Sequence, residues 1–541
     1  MIRRPPPTRA IHGYEKFNGN CRNRFCFIIS ISSIFWFLLF FFHSTTLTAP
    51  KNDIRSIPDK YLNLASQRDV YTEQPHIDNQ SPTSQDIQTQ PPINQTPIID
   101  NWAAPNSDPC SDQYIYVHDL PSRFNEDMLK DCKKLSLWTD MCRFTSNAGL
   151  GPTLDNKDGV FSNKGWFATN QFAVDVIFNN RMKKYKCLTN DSSKASAIFL
   201  PFYAGLDISR YLWGFNTTVR DSASIDLIKW AAEQPEWQIM GGMDHFLVAG
   251  RITWDFRRQT DQENEWGNKL MLLPEAKNMT MLVIESSPWD GNDRGIPYPT
   301  YFHPSNDNQI IQWQNRMRGL RRRWLFAFAG GLRTNIPGSI RGQIIEQCRS
   351  SKRGKLLECD AGASKCHSPS SVMKIFQRSV FCLQPQGDSY TRRSTFDSML
   401  AGCIPVFFHP GSAYVQYTWH LPRNYTRYSV FIPEGDVREG KVSVEKRLLE
   451  IPISEVKEMR RNVIGMIPRL IYADPRSRLE RFEDAFDVAV KGVIEKVRRL
   501  KKEMRGGILK VGFEEEMSWK YDLVGRVGDH EWDHFFSKPK D

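Results

Sequence analysis

Beyond residue 110 the hydrophobic positions fall into two kinds of segment. Short unbroken apolar runs alternate with longer segments whose apolar residues recur at helical spacing. The short runs predict strands at residues 114–117, 195–202, 246–248 and 279–285, and again at 324–329, 380–383, 404–408 and 428–432. Helical spacing predicts helices at 170–183 and 226–233, then at 339–348, 372–377, 392–401, 444–450, 454–469 and 479–499. Strands alternating with helices point to an α/β chain with parallel sheets. A segment rich in proline and aromatics, 295–307 (GIPYPTYFHPSND), interrupts the pattern and reads as the boundary between two lobes, 110–304 and 305–475. The long amphipathic helix near 479–499 opens a C-terminal part, 476–541, and is expected to return onto the first lobe. Residues 501–541 are polar and aromatic and carry no assignment.

The pattern is different before residue 110. Residues 25–42 hold no charge and no proline and are mostly Phe, Ile and Leu. At about 18 residues this run just suffices to cross a bilayer as a helix. Arg3, Arg4, Arg9, Lys16, Arg22 and Arg24 precede it. The excess of cations predicts a cytosolic tail (1–24), a transmembrane signal anchor (25–42) and a luminal remainder. A cleaved signal peptide is the alternative, disfavoured by the length of the apolar core and the lack of a clean small-residue cleavage site. Residues 43–109 are dominated by Gln, Pro, Asn, Ser, Thr and Asp, bury too little apolar surface to fold, and predict a disordered stem.

Composition narrows the classes further. The formal net charge of +11 is spread along the chain, and no reading motif accompanies it, so nucleic acid is not an expected partner. Sequons at Asn79, Asn94, Asn190, Asn216, Asn278 and Asn424 suit a luminal protein. Nine cysteines follow the apolar run. Cys382 and Cys403 lie inside strand-like runs and read as buried thiols. Cys110, Cys132, Cys142, Cys187, Cys348, Cys359 and Cys366 are disulfide candidates whose connectivity the sequence leaves open.

The densest chemistry lies in 380–410, VFCLQPQGDSYTRRSTFDSMLAGCIPVFFHP. Strand, polar loop, helix and strand make a βαβ unit, whose loop falls at a strand's carboxyl end, where parallel sheets bind ligands. That loop carries Gly387, Ser389, Thr391, Arg392 and Arg393 just ahead of a helix N-terminus. Free backbone N–H groups, the helix dipole and guanidinium groups together suit a diphosphate. Ser389 and Thr391 serve equally well as ordinary turn residues.

The chain resembles the exostosin-like glycosyltransferases, and within them the plant xyloglucan galactosyltransferase clade. The resemblance rests on YIYVHDLPSRFN at Tyr114, IFLPFYAG at Ile198, GGMDHFLVAGRITWDFRR at Gly241, PYPTYFHP at Pro297, FAFAGG at Phe326 with SIRGQIIEQC at Ser339, and 380–410. These motifs run in order from about residue 110 to about 474. The resemblance implies a GT-B fold, two Rossmann-like lobes facing a cleft, and inverting transfer of galactose from UDP-galactose to xylosyl side chains of xyloglucan. It implies no metal or other cofactor, with the catalytic head in the Golgi lumen, a single-pass type II anchor, and other Golgi glycosyltransferases as candidate neighbours. The chain lacks the Asp-x-Asp motif that holds a metal–diphosphate in the other major transferase fold. Galacturonic acid as donor sugar, a mannan acceptor, or a non-catalytic glycan-binding protein on the same scaffold are the competing readings.

On this resemblance Asp397 stands where the family places an acidic residue, usually Glu, to receive ribose hydroxyls. The spacing Ser394-x-x-Asp397 also matches a helix capping box. Arg333 and Arg341 flank the loop that opens the second lobe and would neutralise the leaving diphosphate. Of Arg392 and Arg393, one is expected to face the cleft and the other a carboxylate. Inversion needs a base from the first lobe. The candidates are His118 and Asp119 after the first strand, the Asp244–His245 pair, and more weakly Asp255. His303 is expected to pack between the lobes, and Trp254, Tyr298 and Tyr301 are either core or sugar-stacking rings.

Overall fold

The computed structural model describes residues 108–137, 139–359, 368–506 and 532–536. The expected tail, anchor and stem, with Asn79 and Asn94, lie outside these residues. No helix among the described residues is long and apolar enough to cross a membrane.

The fold holds two parallel sheets. The first, in order β2-β1-β3-β4-β5-β6, comprises β1 (Ile115–Val117), β2 (Leu188–Thr189), β3 (Ala197–Phe199), β4 (His245–Val248), β5 (Thr280–Val283) and β6 (Asp293–Gly295). The second, in order β11-β10-β9-β7-β8, comprises β7 (Trp324–Gly330), β8 (Gly354–Glu358), β9 (Ser379–Gln384), β10 (Ile404–Phe407) and β11 (Val430–Phe431). All their strand pairings are parallel. The central strands β3, β4, β5, β9 and β10 are buried along their whole length, which is why they read as continuous apolar runs rather than alternating ones.

Helices α1 (Val174–Met182), α2 (Ala204–Tyr211), α3 (Thr217–Ala232) and α4 (Pro235–Met240) belong to the first lobe. Helices α5 (Asp307–Gly319), α6 (Arg341–Ser350), α7 (Pro369–Gln377), α8 (Arg393–Leu400) and α9 (Ile453–Gly465) belong to the second. Residues 217–225 precede the expected 226–233 yet continue into it, because Asn216 caps α3 through a bond from Val219 N–H. The long helix α10 (Ala485–Arg505) starts with a capping box between Asp484 and Asp487 and returns onto the first lobe. There Arg181 of α1 pairs with Asp484 at 3.0 Å, and Lys496 donates to Thr280 of β5.

The proline-rich segment 295–307 is not a loose connection. Residues 296–300 and 302–304 are buried, and they form much of the seam between the lobes. Tyr298 Oη lies 3.1 Å from Thr391 Oγ1. Buried His303 lies 2.9 Å from Thr169 Oγ1 and 2.7 Å from the Tyr472 carbonyl. Tyr298 and Tyr301 are therefore seam residues.

Cysteine pairing departs from the sequence reading. Cys382 and Cys403 form a disulfide rather than two buried thiols. Cys382 lies in β9 opposite Pro405 of the neighbouring β10, so the pairing of these strands brings Cys403 to a Cα separation of 5.9 Å. Cys110 pairs with Cys187 and Cys132 with Cys142, and Cys359 is also disulfide-bonded. Cys348, counted among the candidates, is a free buried thiol on α6.

Candidate active site

The loop after β9 meets the first lobe at Glu285, a residue absent from the sequence-derived candidates. Glu285 lies two residues past β5 and is fully buried. Its carboxylate accepts Ser389 Oγ (2.8 Å), Thr391 N–H (2.7 Å), Thr391 Oγ1 (2.6 Å) and the Trp254 indole N–H (2.7 Å). Ser389 and Thr391 are thus held by a carboxylate of the other lobe. A charged acceptor with several donors is a strong clamp, and it fixes the loop's conformation before any ligand arrives. The one sequence signal for Glu285 was a lone carboxylate closing the apolar run MTMLVIE at a strand's carboxyl end.

Behind the loop three arginines converge. Arg341, in the first turn of α6, is buried and donates to the carbonyls of Gln386 (2.7 Å) and Gly331 (3.1 Å). Burial first, then the neighbouring charges of Arg392 and Arg333, push its guanidinium down from its ordinary range to about 9. Arg333 is half-buried and pairs with Asp388 at 3.1 Å. Arg392 folds back over the loop, donating to the Thr391 carbonyl, and its Nη2 is buried without a hydrogen-bond partner. Gly387 permits this, since a Cβ there would sit 1.7 Å from that nitrogen. Gly331 likewise lets the loop after β7 approach the Cys359 carbonyl, 2.2 Å from where a Cβ would lie. Like charges held together, with a buried donor unused, favour an anion with several acceptor oxygens.

Arg393 takes the other role foreseen for the pair. It lies 3.7 Å above the Tyr301 ring, bonds the Thr169 carbonyl of the first lobe, and pairs with Asp397 at 3.3 Å. Asp397 is buried at 2% exposure, and burial, opposed by Arg393, raises its carboxyl to about 6. Asp397 is thus tied to Arg393 through Oδ2, while its Oδ1 is buried without a hydrogen-bond partner. The capping-box alternative fails, because α8 starts at Arg393 with Arg392 as its cap, and Ser394 Oγ bonds Gln384 instead. Helix α6 starts at Arg341, two residues later than the expected 339, with Ile340 before it.

The base candidates are dispersed. Asp119 is exposed just past the carboxyl end of β1. His118 and His245 are buried, with their Nε2 atoms 3.3 Å apart, and Asp244 bonds His245 Nδ1 at 2.8 Å. Trp230 of α3 and Trp237 of α4 pack on the two imidazoles. Burial, then His245, lowers His118 to about 4. His245 opens β4 at its amino end. Through the β4–β5 register it is level with Met279, six residues before Glu285 and about 20 Å away along the strand direction. The Asp244–His245 pair is therefore not brought to the loop after β9. Asp255 is consumed by Arg251 (2.5 Å) and the Trp266 indole (2.6 Å).

The C-terminal residues 532–536, unassigned from sequence, lie against this region. Phe536 is buried beside His409 and Tyr390, and its carbonyl accepts the Trp289 indole N–H of the first lobe at 2.9 Å. Among the sequons, Asn190, Asn216 and Asn424 are exposed, whereas Asn278 is half-buried with its amide donating to the Gly241 carbonyl. No cluster of three or more His, Cys, Asp or Glu side chains suited to a metal occurs among the described residues.

The exostosin GT47 domain model matches residues 109–448. The Arabidopsis thaliana xyloglucan galactosyltransferase MUR3 is 57% identical over 584 residues, covering 100% of this chain and 94% of that protein. The probable xyloglucan galactosyltransferase GT14 of Arabidopsis thaliana is 49% identical, covering 89% of this chain and 88% of that protein. The Arabidopsis thaliana xyloglucan-specific galacturonosyltransferase 1 is 41% identical, covering 72% of this chain and 58% of that protein. With a matched domain spanning both sheets and relatives of this identity along its length, the chain belongs to the exostosin GT47 family of glycosyltransferases.

Proposed function

We propose that this glycosyltransferase transfers galactose from UDP-galactose to xylosyl side chains of xyloglucan, with inversion and without a metal, on a GT-B scaffold anchored in the Golgi membrane. The observation that carries the chemistry is the convergence of Arg341, Arg333 and the unpartnered Arg392 Nη2 behind a loop pre-set by Glu285. The diphosphate gains charge as the glycosidic bond breaks, and guanidiniums fixed in advance stabilise that charge without reorganising. They supply the positive charge that a divalent cation supplies elsewhere. The choice of galactose and xyloglucan follows the relatives' names, MUR3 foremost. Of the base candidates Asp119 alone is exposed, whereas His118, Asp244 and His245 are buried, and it is assigned as the base on that ground. Its neighbour His118 meets His245, so the acceptor would have to reach it across the first sheet from the loop after β9. It would remove the proton from a xylose hydroxyl as that oxygen attacks the anomeric carbon and UDP departs.

The test is incubation of the full chain with a xylosylated oligoglucan and a panel of UDP-sugars in EDTA, reading product mass. A hexose gained from UDP-galactose is expected. A gain of hexuronic acid overturns the donor, and activity restored only by a divalent cation overturns the arginine reading.

A further inference from the structure

The loop between α2 and α3 carries two large apolar side chains into solvent, Phe215 at 43% and Trp213 at 37% exposure. They begin a line of rings. Phe215 meets Tyr211 at 5.1 Å, and Trp213 meets Trp266 at 4.9 Å, both edge-on. The Trp266 indole bonds Asp255, whose chain neighbour Trp254 bonds Glu285 and lies 6.1 Å from Trp289. Tyr211, Trp266, Trp254 and Trp289 are all half-buried, so the line stays open to solvent from the rim to the donor loop.

The fold places this line at the ligand end of the first sheet. Trp254 and Trp266 lie on the chain that leaves the carboxyl end of β4. That chain is fastened to the first turn of α3 by Arg220, which donates to the carbonyls of Glu263, Glu265 and Gly267. The charges alongside are spent internally, Arg210 on Asp207, Arg251 on Asp255 and Arg258 on Asp221. An anionic polymer finds no free guanidinium among these. A neutral pyranose chain does find a match, since its C–H faces pack on aromatic rings while its hydroxyls stay in water.

We propose that these rings form a docking track for the backbone of a neutral β-linked glucan, which holds the polymer while one side chain reaches the donor loop. The track rests on the acceptor assigned above and adds a second contact remote from the chemistry. Its consequence is a preference for polymer over short acceptors.

The test compares the full chain with Trp213→Ala, Phe215→Ala and the double variant, using polymeric xyloglucan and a short xylosylated oligoglucan. For the double variant the polymer KM rises about tenfold, the loss expected from uncovering two ring contacts. The short-acceptor KM, the UDP-galactose KM and the melting temperature stay at wild-type values. An unchanged polymer KM overturns the track, as does an equal loss on both acceptors, which would place the rings in the fold or the chemistry. Polymer affinity that improves in Asn216→Gln also overturns it, by showing that the chain's own glycan occupies these rings. Retardation of the full chain in native gels cast with polymeric xyloglucan, without donor, separates the two readings. Retardation lost in the double variant supports the track even where no transfer from UDP-galactose occurs.

Discussion

Two polar clusters at the strand ends look alike in sequence and differ in one physical respect. In the first lobe His118, His245 and Asp244 bond one another and are sealed by tryptophans. Behind the donor loop of the second lobe Arg341, Arg392 and Arg333 crowd together, and a buried donor of Arg392 is left unused. A buried polar group without a partner costs about 1–3 kcal/mol, and a ligand or a water that supplies the missing bond removes that cost. The histidine cluster is complete as it stands. In the proposed reading an anion would complete the arginine cluster. The comparison teaches that titratable residues near a strand end are weak evidence of a site, whereas guanidinium groups crowded behind a loop pre-set by a carboxylate are stronger evidence.

The sharpest way to break this comparison is Arg341→Ala. It removes a buried cation aimed at the donor loop and leaves two carbonyls without their donor. The expected result is a fall in kcat/KM of about a thousandfold, with weaker UDP binding by calorimetry. Lysine does not rescue it, because one ammonium cannot serve both carbonyls with a planar fork. Unchanged UDP affinity would move the diphosphate away from α6.

Asp119→Asn tests the first lobe's contribution. With the base assigned there, kcat falls about a hundredfold while UDP affinity is kept. If His118→Gln instead gives that fall, and Asp119→Asn does not, the sealed cluster takes the catalytic role after all.

The smallest effect sharpens the histidine side. His118 is lowered from 6.5 to about 4 by burial and His245, so below pH 6.5 the unfolded chain binds the proton more readily. The stability this neutral imidazole contributes is present above 6.5 and is lost as pH falls toward about 4. In His118→Gln the melting temperature loses part of this decline between pH 6.5 and 4, and the UDP-galactose KM does not change. A shifted KM would connect the cluster to the donor site.

Much of the second lobe was legible. The run at 380–383, the turn at Gly387 and the helical spacing before Gly402 reappear as β9, the donor loop and α8 within a residue or two. These are local patterns, fixed by side-chain periodicity and turn chemistry. Three features were not legible because each depends on partners distant in the chain. Glu285 meets Thr391 across 106 residues, Cys382 meets Cys403 through strand pairing, and Asp397 turns inward because Arg393 is held by Thr169 and Tyr301. The burial of the segment at 295–307 was not legible for the same reason, since prolines and aromatics serve as readily in a buried seam as in an exposed connection.

By itself the sequence determined the two parallel α/β units, the phosphate-suited loop and the family, since hydrophobic period, turn residues and ordered motifs are properties of neighbouring residues. The tertiary structure decided which groups in those motifs remain free to act. Whether a carboxylate clamps a loop, seals a core or faces solvent depends on what packs against it: Glu285 is engaged by Thr391 from the other lobe, and Asp397 is paired with Arg393, which the distant Thr169 carbonyl holds in place.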